Sequence, residues 1–530
     1  RPAEPAGLAV ASFAVEAPAG AVGRLAALLD DGGPDLAKAC PRGAINTLLP
    51  GSPWAGRVRE SGVSQQALFA VDDMAVEFAA RGPRRRLAFS VFHAGPGPRT
   101  YRVILEASGR RWRAFERRAA QRQTFGAEVA LDPGWREFRV RLETRGRGLG
   151  AWVNPRLLGR DGPPRVFVVI VLDSVRADHT SLLGYGRRTT PELERLGREG
   201  RVFRQAFSTT SWTLPAHVSL FSGRDLPGHG VLEPADRIGD DVPLLAEVFQ
   251  KNGFATAAFT GGGFVSDHYG FHRGFQVYAN NPGNVFSMDS AERVLRNFRH
   301  FADGHWGEDL FVFLHTYQAH APYKFPSPLR HAVDPGLDGN LLGPANFLGG
   351  KKTAVFAALP DPVRRQLVGL YDTAIFYADQ ALVGGVVRYL KERGAWERAT
   401  VAVASDHGEE FFDHGSWEHG RSLYGEMLRV PLVIKFAGGR RRGVEEGLTS
   451  LADLPALLLD GAGLATPPGF PPARGESAGR VLSAALPVSP IVEGIPPKVS
   501  FVDARFHFIY NGGDPRFASR FDPPPPPLRL

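Results

Sequence analysis

The sequence contains a single cysteine, Cys40, among its 530 residues. No internal disulfide and no thiolate metal cluster can therefore form, which fits a cytoplasmic protein and an exported one equally. Long apolar runs are also missing, since none approaches the roughly 18 residues that span a bilayer. We expect no transmembrane segment in this chain. The first residue is Arg1 rather than Met, which is consistent with a processed chain that has lost a signal or an anchor.

The composition excludes a disordered chain. Hydrophobic residues make up 43% of the sequence and charged residues 22%, as in soluble globular proteins. The length is too great for one ordinary core and predicts two or three domains. The net charge of +8 comes mostly from scattered arginines and would tolerate anionic partners. Because no basic helix interleaved with aromatic residues occurs, we expect no specific nucleic-acid binding.

Residues 1–160 have the alternating pattern of half-exposed antiparallel strands. Tyr101, Val103 and Leu105, for example, alternate with polar or less apolar neighbours. Turn signals such as Asp132-Pro133-Gly134 separate these segments, and a short helix is expected over residues 22–29. This part is predicted to be a β-rich accessory domain of the β-sandwich type.

Residues 161–437 have the pattern of an α/β domain. Continuous apolar runs predict strands buried on both faces, at residues 166–172, 254–259, 310–314, 400–404 and 431–435. Helical segments alternate with them; one is expected to have Thr190 as N-cap, Pro191 as first residue and Gly200 as its end. Strands that alternate with helices predict a mostly parallel sheet sandwiched between helix layers. Residues 438–530, with a helix at 451–459, strand-like pieces and a proline run at 523–527, are expected to form a small α+β subdomain.

Polar side chains stand directly after three of the buried runs. Asp173 follows the first, His315 follows the third and precedes His320, and Asp406 and His407 follow the fourth. Ligands of open parallel sheets bind beyond the carboxyl ends of the strands, where these side chains would meet. The pattern therefore predicts a metal or catalytic site at this edge of the sheet.

The segment TSWTLPAHVSLFSG, residues 210–223, predicts a short helix that begins at Pro215 and ends at Gly223. Thr213 would lie at the N-terminal end of this helix, and His217 one turn further on the same side. One interpretation is that Thr213 caps the helix. The other is that Thr213 is a nucleophile at a helix terminus that favours anionic esters. Spacing alone does not separate the two.

Four segments carry a resemblance to a known family, and they are VIVLDSVRADHTSLLGYG, SWTLPAHVSLFSG, HTYQAHAPY and SDHGEEFFDHGSWEHGRSLYGEMLRVPLVIK. In this order they resemble the sulfatase-like family of the alkaline phosphatase superfamily, over roughly half the chain. The resemblance implies an alkaline phosphatase-like fold. It also implies that Asp173, Asp406 and His407 bind a metal, with Thr213 as nucleophile and fourth ligand.

Thr213 occupies the position where sulfatases carry the cysteine or serine that becomes formylglycine. A threonine cannot form that aldehyde, so the chain resembles instead the phosphodiesterases, nucleotide pyrophosphatases and phosphoglycerol or phosphoethanolamine transferases of the superfamily. His217 stands where sulfatases usually carry arginine and, with His315, is assigned to substrate binding. The mixed oxygen and nitrogen ligands favour one Zn²⁺ or Mn²⁺. Ca²⁺ stays possible, although Ser174 replaces an acidic residue common in calcium-binding sulfatases.

The resulting hypothesis is a hydrolase or transferase of phosphate esters, with phosphodiesters as the favoured substrates, that acts through a phospho-threonine. His419 or His320 would protonate the leaving oxygen. The alternatives are a sulfuric ester hydrolase without formylglycine and a binding protein on a retired enzyme scaffold. The expected partner is an anionic ester, whether a small molecule, a lipid headgroup or an envelope polymer, and the resemblance favours a periplasmic or extracellular location.

Overall fold

A computed structural model describes residues 12–16, 55–60, 63–81, 86–95, 97–121, 123–158, 164–280, 287–337, 360–415, 417–471, 482–486, 497–510 and 520–522. The expected helix at residues 22–29, Cys40 and the proline run at 523–527 lie outside these residues. None of the described helices is both long and apolar enough to cross a membrane.

The first part of the chain forms two packed antiparallel sheets. The strands are β1 (Ser12–Glu16), β2 (Ala55–Glu60), β3 (Val63–Val71), β4 (Met74–Arg81), β5 (Arg86–His93), β6 (Arg99–Ala107), β7 (Arg110–Ala119), β8 (Thr124–Ala130), β9 (Glu137–Arg145) and β10 (Leu149–Leu158). One sheet has the order β1-β4-β9-β6-β7; the other contains β3-β10-β5-β8, with β2 beside β3. Side chains of both sheets, such as Val103 and Trp152, share one core. The predicted β-sandwich is confirmed.

The second part contains the large sheet that carries the candidate site. Its strands in this part are β11 (Val166–Leu172), β12 (Arg201–Phe207), β13 (Ala255–Thr260), β14 (Val277–Asn280), β15 (Leu310–Thr316), β16 (Ala399–Ala404), β19 (Leu432–Lys435) and β20 (Gly443–Ser450). Between β16 and β19 the chain forms a separate hairpin of β17 (Glu410–Phe411) and β18 (Trp417–Glu418). The order is β20-β12-β19-β16-β11-β15-β13-β14. β11 is parallel to both β15 and β16, whereas β19 is antiparallel to β16 and β12.

Helices cover both faces of this sheet. They are α1 (Pro191–Glu199), α2 (Thr213–Ser222), α3 (Leu226–His229), α4 (Leu245–Lys251), α5 (Ser290–Gly304), α6 (Asp361–Ala378), α7 (Gly384–Glu392), α8 (Gly425–Leu428) and α9 (Leu454–Ala462). Val169 and Val171 of β11 pack into a core with α2 and α4, while Val168 and Ile170 pack into a second core with α5 and α6. Burial on both faces explains why β11 has no polar residue, and the predicted α/β architecture is confirmed.

The large sheet continues into the N-terminal sandwich. Strand β3 pairs antiparallel with β14, with Gln65 opposite Val277. Beside this junction, Arg57 Nη1 donates to the carbonyl oxygen of Phe275 at 2.8 Å, and Gln250 Nε2 donates to Gln66 Oε1 at 3.0 Å. One hydrogen-bonded sheet thus connects the strands on either side of residue 160. The domain boundary predicted near that residue stays a prediction.

The C-terminal part adds a small antiparallel sheet, as the sequence predicts. It consists of β21 (Leu482–Leu486), β22 (Lys498–Val502), β23 (His507–Tyr510) and β24 (Arg520–Asp522). Leu486 and Ile509 pack in the same core as Leu454 and Leu458 of α9. The backbone amide of Ala485 donates to Thr209 at 3.0 Å, which ties this sheet to the segment before α2.

Helix α1 has the predicted bounds but a different cap. Thr190 is at the N-cap position, yet its side chain does not cap the helix. Asp379, which follows α6, supplies the cap instead, because its carboxylate accepts hydrogen bonds from the backbone amides of Glu192 at 2.7 Å and Leu193 at 3.0 Å. The cap comes from a residue remote in sequence, which the local pattern did not indicate.

Asp379→Ala is expected to lower the free energy of unfolding by about 1–3 kcal/mol, because two buried amides lose their acceptor. Asp379→Asn retains one acceptor oxygen and should lose less. Urea unfolding followed by circular dichroism measures both. Equal stability of the alanine variant and the wild-type protein would contradict this account of the cap.

Candidate active site

The candidate site lies at the carboxyl ends of the neighbouring parallel strands β11 and β16. Asp173 follows β11 directly, and Asp406 and His407 follow β16 after one intervening residue. One ligand atom from each of these three residues lies within 4.8 Å of the others. Thr213 Oγ1 is 3.4 Å from Asp173 Oδ2 and 3.2 Å from His407 Nε2. The structure therefore brings together the four residues that the sequence assigned to the metal.

Thr213 is the first residue of α2, so the helix begins two residues earlier than predicted. The N-cap residue is Trp212, in extended conformation with φ −153° and ψ 159°, and its side chain makes no capping hydrogen bond. The Thr213 hydroxyl faces Asp173 and His407 instead of a backbone amide. Gly223 ends the helix with φ 71°, as expected. This geometry favours a chemical role for Thr213 over a capping role.

The hydrogen bonds of His407 determine which ring nitrogen faces the site. Nδ1 lies 2.9 Å from the carbonyl oxygen of Gly408, which can only accept, so Nδ1 carries the hydrogen. Burial lowers the pKa of His407 and keeps the ring neutral. The lone pair of Nε2 is therefore directed toward Thr213 Oγ1, in the tautomer that a metal ligand requires.

His315 holds one oxygen of Asp173. The backbone amide of Gly261 donates to His315 Nδ1 at 3.3 Å, so the hydrogen of the neutral ring is on Nε2. Nε2 donates to Asp173 Oδ2 at 3.2 Å, and Ser174 Oγ donates to Oδ1 at 2.6 Å. His315 is fully buried. This placement favours an orienting role for His315 over the substrate contact that the sequence suggested.

His217 is also fully buried. Its Nδ1 donates to the carbonyl oxygen of Thr213 at 2.9 Å and lies 3.5 Å from Asp406 Oδ2. Burial, with a contribution from His315, lowers the pKa of His217 to about 3, so the ring is neutral. The structure thus places the buried His217 ring against Thr213 and Asp406, and its suggested contact with substrate stays a prediction.

The other two candidate histidines, His419 and His320, lie near His407. The ring of His419 is 4.4 Å from that of His407, centroid to centroid, and the half-buried His320 packs edge-on against His419 at 4.8 Å. His419 Nδ1 lies 3.3 Å from Glu409 Oε1. Glu409 is not among the site residues that the sequence indicated, because an acidic group two positions after His407 is a weak signal by itself. The structure identifies it as the partner of His419.

The electrostatics of the two aspartates fit a divalent cation. Both are fully buried. Burial alone would raise the pKa of Asp173, but the hydrogen bond from His315 and the nearby imidazoles hold it well below its usual range. Burial and the charge of Asp173 raise the pKa of Asp406 well above its usual range. Within the described part of the chain, Asp406 Oδ2 is buried without a hydrogen-bond partner. A cation would compensate both carboxylates and supply the missing partner.

Several curated proteins are similar to this chain. The multifunctional alkaline phosphatase superfamily protein PehA of Trinickia caryophylli is 27% identical over 390 residues, which cover 57% of this chain and 74% of PehA. The phosphatidylethanolamine transferase Mcr-2 of Escherichia coli is 22% identical over 268 residues, 48% of this chain and 45% of the transferase. This chain thus spans less than half the length of that transferase.

Solved structures share the fold. The phosphonate monoester hydrolase of Agrobacterium radiobacter is 18% identical, with a TM-score of 0.52 over 66% of this chain and 88% of the hydrolase. The corresponding enzyme of Silicibacter pomeroyi is 20% identical, with a TM-score of 0.53 over 67% and 88%.

Residues 165–464 match the family model described as Sulfatase. Sulfatase-family enzymes generally use a divalent metal ion, and their substrates are anionic esters. Because the match covers more than half of the sequence, this chain belongs to the Sulfatase family of the alkaline phosphatase superfamily, whose members are hydrolases or transferases of phosphate or sulfate esters.

Proposed function

We propose that this chain hydrolyses or transfers phosphodiesters through a covalent phospho-threonine at Thr213. The observation that carries the proposal is the position of Thr213 Oγ1, within 3.4 Å of Asp173 and 3.2 Å of His407 Nε2. A threonine in this position has a hydroxyl nucleophile and no route to formylglycine. The proposal therefore favours phosphoryl transfer over the sulfatase chemistry that uses the aldehyde.

Asp173, Asp406, His407 and Thr213 would hold the metal. When bound, a divalent cation lowers the pKa of the threonine hydroxyl and polarises a non-bridging oxygen of the substrate. Two carboxylates, one imidazole and one hydroxyl form a mixed set of oxygen and nitrogen ligands, which suits Zn²⁺ or Mn²⁺ better than Ca²⁺. We propose one ion of this kind, with Ca²⁺ as the weaker candidate.

The Thr213 hydroxyl would lose its proton to solvent, and Oγ would form a bond to phosphorus as the bond from phosphorus to the leaving oxygen breaks. We assign protonation of that oxygen to Nε2 of His419, which makes no hydrogen bond to any described residue. Burial lowers the pKa of His419 and raises that of Glu409, so the neutral Glu409 carboxyl would pass a proton to His419 Nδ1 as Nε2 gives up its own. His320, which packs on His419, is the second candidate for this role. Water or an acceptor alcohol would then attack the phospho-threonine and restore the hydroxyl.

The test combines metal content with turnover of three aryl substrates, namely a phosphodiester, a phosphomonoester and a sulfate. Preferential turnover of the diester by protein with about one bound metal ion would support the proposal. Preferential turnover of the aryl sulfate would replace it with a sulfatase that does not need formylglycine. Absence of both metal and turnover would indicate a binding protein on this scaffold.

Glu409→Ala is expected to lower turnover about 10–100-fold for an alkyl leaving group and much less for nitrophenol, because a poor leaving group depends more on a well-placed acid. Glu409→Gln keeps a hydrogen-bond donor for His419 Nδ1, which leaves the hydrogen of the ring on Nε2, and should lose less. Steady-state rates with paired alkyl and nitrophenyl diesters measure the difference. An equal loss with both leaving groups would indicate that Glu409 supports the fold and not the acid.

The natural substrate is proposed to be an anionic ester in the periplasm or outside the cell. A small molecule, a lipid headgroup and an envelope polymer all contain such esters, and the site chemistry is common to the three. Cell fractionation tests the location, and release of phosphate-containing fragments from isolated envelopes tests the polymer and lipid sources.

A further inference from the structure

Strand β7 is an exposed edge strand with a strong excess of positive charge. Five of its ten residues are arginines, in the sequence RRWRAFERRA. Among the described strands, β7 pairs with β6 alone and ends its sheet. Its arginines Arg110, Arg111, Arg113, Arg117 and Arg118 are all exposed. We call these five residues, together with Trp112, the arginine edge.

The single acidic residue of the strand does not neutralise this charge. Glu116 pairs with Arg102 on β6 and with Arg113 at 2.8 Å. In the part of the chain that the structure describes, no carboxylate pairs with Arg110, Arg111, Arg117 or Arg118. Charged residues of either sign would protect a sheet edge from pairing with another chain. Four unpaired charges of one sign go beyond that requirement and attract anions.

Aromatic side chains lie along the same edge. Trp112 is opposite Leu105, and Phe115 is opposite Val103, so both are on the side of the strand that faces the sandwich core. Ala114 is an extra residue in the register, which lets two aromatic residues three positions apart share one side. Trp112 remains 37% exposed and packs edge-on against the half-buried Trp135 at 5.3 Å.

Strand β8 of the second sheet contacts the arginine edge. Strand β8 ends that sheet, and its Phe125 packs against Phe115 with ring centroids 6.4 Å apart. The guanidinium of Arg117 lies 4.1 Å from the centre of the Phe125 ring, which holds this cation beside the aromatic side chains. Arg111, Arg113 and Arg118 face the other side of β7, opposite Glu106, Ile104 and Thr100. The arginine edge therefore combines partly exposed aromatic rings with exposed guanidinium groups on both sides of β7.

We propose that the arginine edge binds an anionic polysaccharide. Aromatic faces pack against the apolar faces of sugar rings, and guanidinium groups bind sulfate or phosphate groups in bidentate geometry. Residues 110–118 extend over about 27 Å at the usual rise of about 3.4 Å per residue, long enough to contact several sugars of an extended chain. The affinity of the arginine edge for the polymer does not depend on which ester Thr213 attacks. Binding there would keep the enzyme on a polymer that also carries its substrate.

The test measures the affinity of the full chain for dextran sulfate, with uncharged dextran and inorganic polyphosphate for comparison. Arg111→Ser/Arg118→Ser should weaken dextran sulfate binding at least about tenfold and flatten its salt dependence, because two ionic contacts are lost. Trp112→Ala should weaken binding to dextran sulfate and leave binding to polyphosphate unchanged. The matched control is Arg198→Ser/Arg398→Ser, which removes two exposed arginines that form no ion pair with described residues.

Three results would overturn the proposal. Equal losses in the test and control pairs would indicate general attraction to a basic protein. An unchanged affinity of the test pair would exclude the arginine edge. Tighter binding of polyphosphate than of dextran sulfate, with no effect of Trp112→Ala on either, would indicate a site for polyanions without sugar recognition. Each result is independent of turnover, so failure of the phosphodiesterase proposal would not affect it.

Discussion

Thr213→Ala is expected to lower kcat/KM for every ester that the wild-type protein cleaves by at least about 10³-fold, with the fold intact. The substitution removes the hydroxyl that lies between Asp173 and His407, and with it the proposed nucleophile. The methyl group of alanine fits the same space at the start of α2, and alanine is a good helix former. Initial rates with the aryl phosphodiester, together with the thermal transition, measure the two effects.

Two matched variants sharpen this test. Thr213→Ser keeps a hydroxyl and should retain part of the activity. Thr210→Ala removes a buried hydroxyl that has no hydrogen-bond partner among the described residues, and it should leave turnover unchanged. Mass spectrometry of protein quenched during turnover should detect phosphate on Thr213. Equal turnover by Thr213→Ala and the wild-type protein would remove Thr213 from the mechanism.

Asp406→Asn is expected to reduce metal affinity at least about 100-fold and turnover in proportion, because a neutral amide is a poor ligand for a divalent cation. Its effect on the metal-free protein should have the opposite sign. Burial and the charge of Asp173 raise the pKa of Asp406, so its ionised form destabilises the metal-free fold. Asparagine removes that charge and still offers an oxygen to the backbone amides of Ser174 and His407.

Metal content after dialysis and thermal transitions with and without chelator measure the two effects of Asp406→Asn. In chelator, Asp406→Asn should have a higher transition temperature than the wild-type protein. Adding metal should not raise the transition temperature of this variant. Asp379→Asn, which changes a buried aspartate outside the site, should keep its metal. Full metal binding by Asp406→Asn would contradict the proposed ligand set.

Much of the catalytic fold could be predicted because its signals are local. The uninterrupted apolar run of β11 indicates burial on both faces, and parallel strands bring the residues that follow them to one edge of the sheet. The sequence alone was therefore enough to predict that Asp173, Asp406 and His407 lie together. The start of α2 was less certain, because Pro215 is tolerated throughout the first turn of a helix and does not define its first residue.

Other features depend on contacts between residues remote in sequence. The cap of α1 by Asp379 and the pairing of His419 with Glu409 are of this kind, as is the orientation of Asp173 by His315. The identity of a neighbouring acceptor also determines which nitrogen of each histidine carries hydrogen. No periodicity or spacing in the chain encodes such partners, so only the tertiary structure could assign them.

The element types could be assigned from the sequence alone, because they follow from short-range patterns. The nucleophile candidate came from the resemblance of four segments to the sulfatase-like family. The tertiary structure decided that one sheet joins the sandwich to the catalytic part through β3 and β14, since strand pairing is set by packing and by available edges. It also decided that β7 is an open edge whose arginines lack carboxylate partners among the described residues. Whether charged residues form a charged surface depends on which neighbours folding brings close enough to neutralise them.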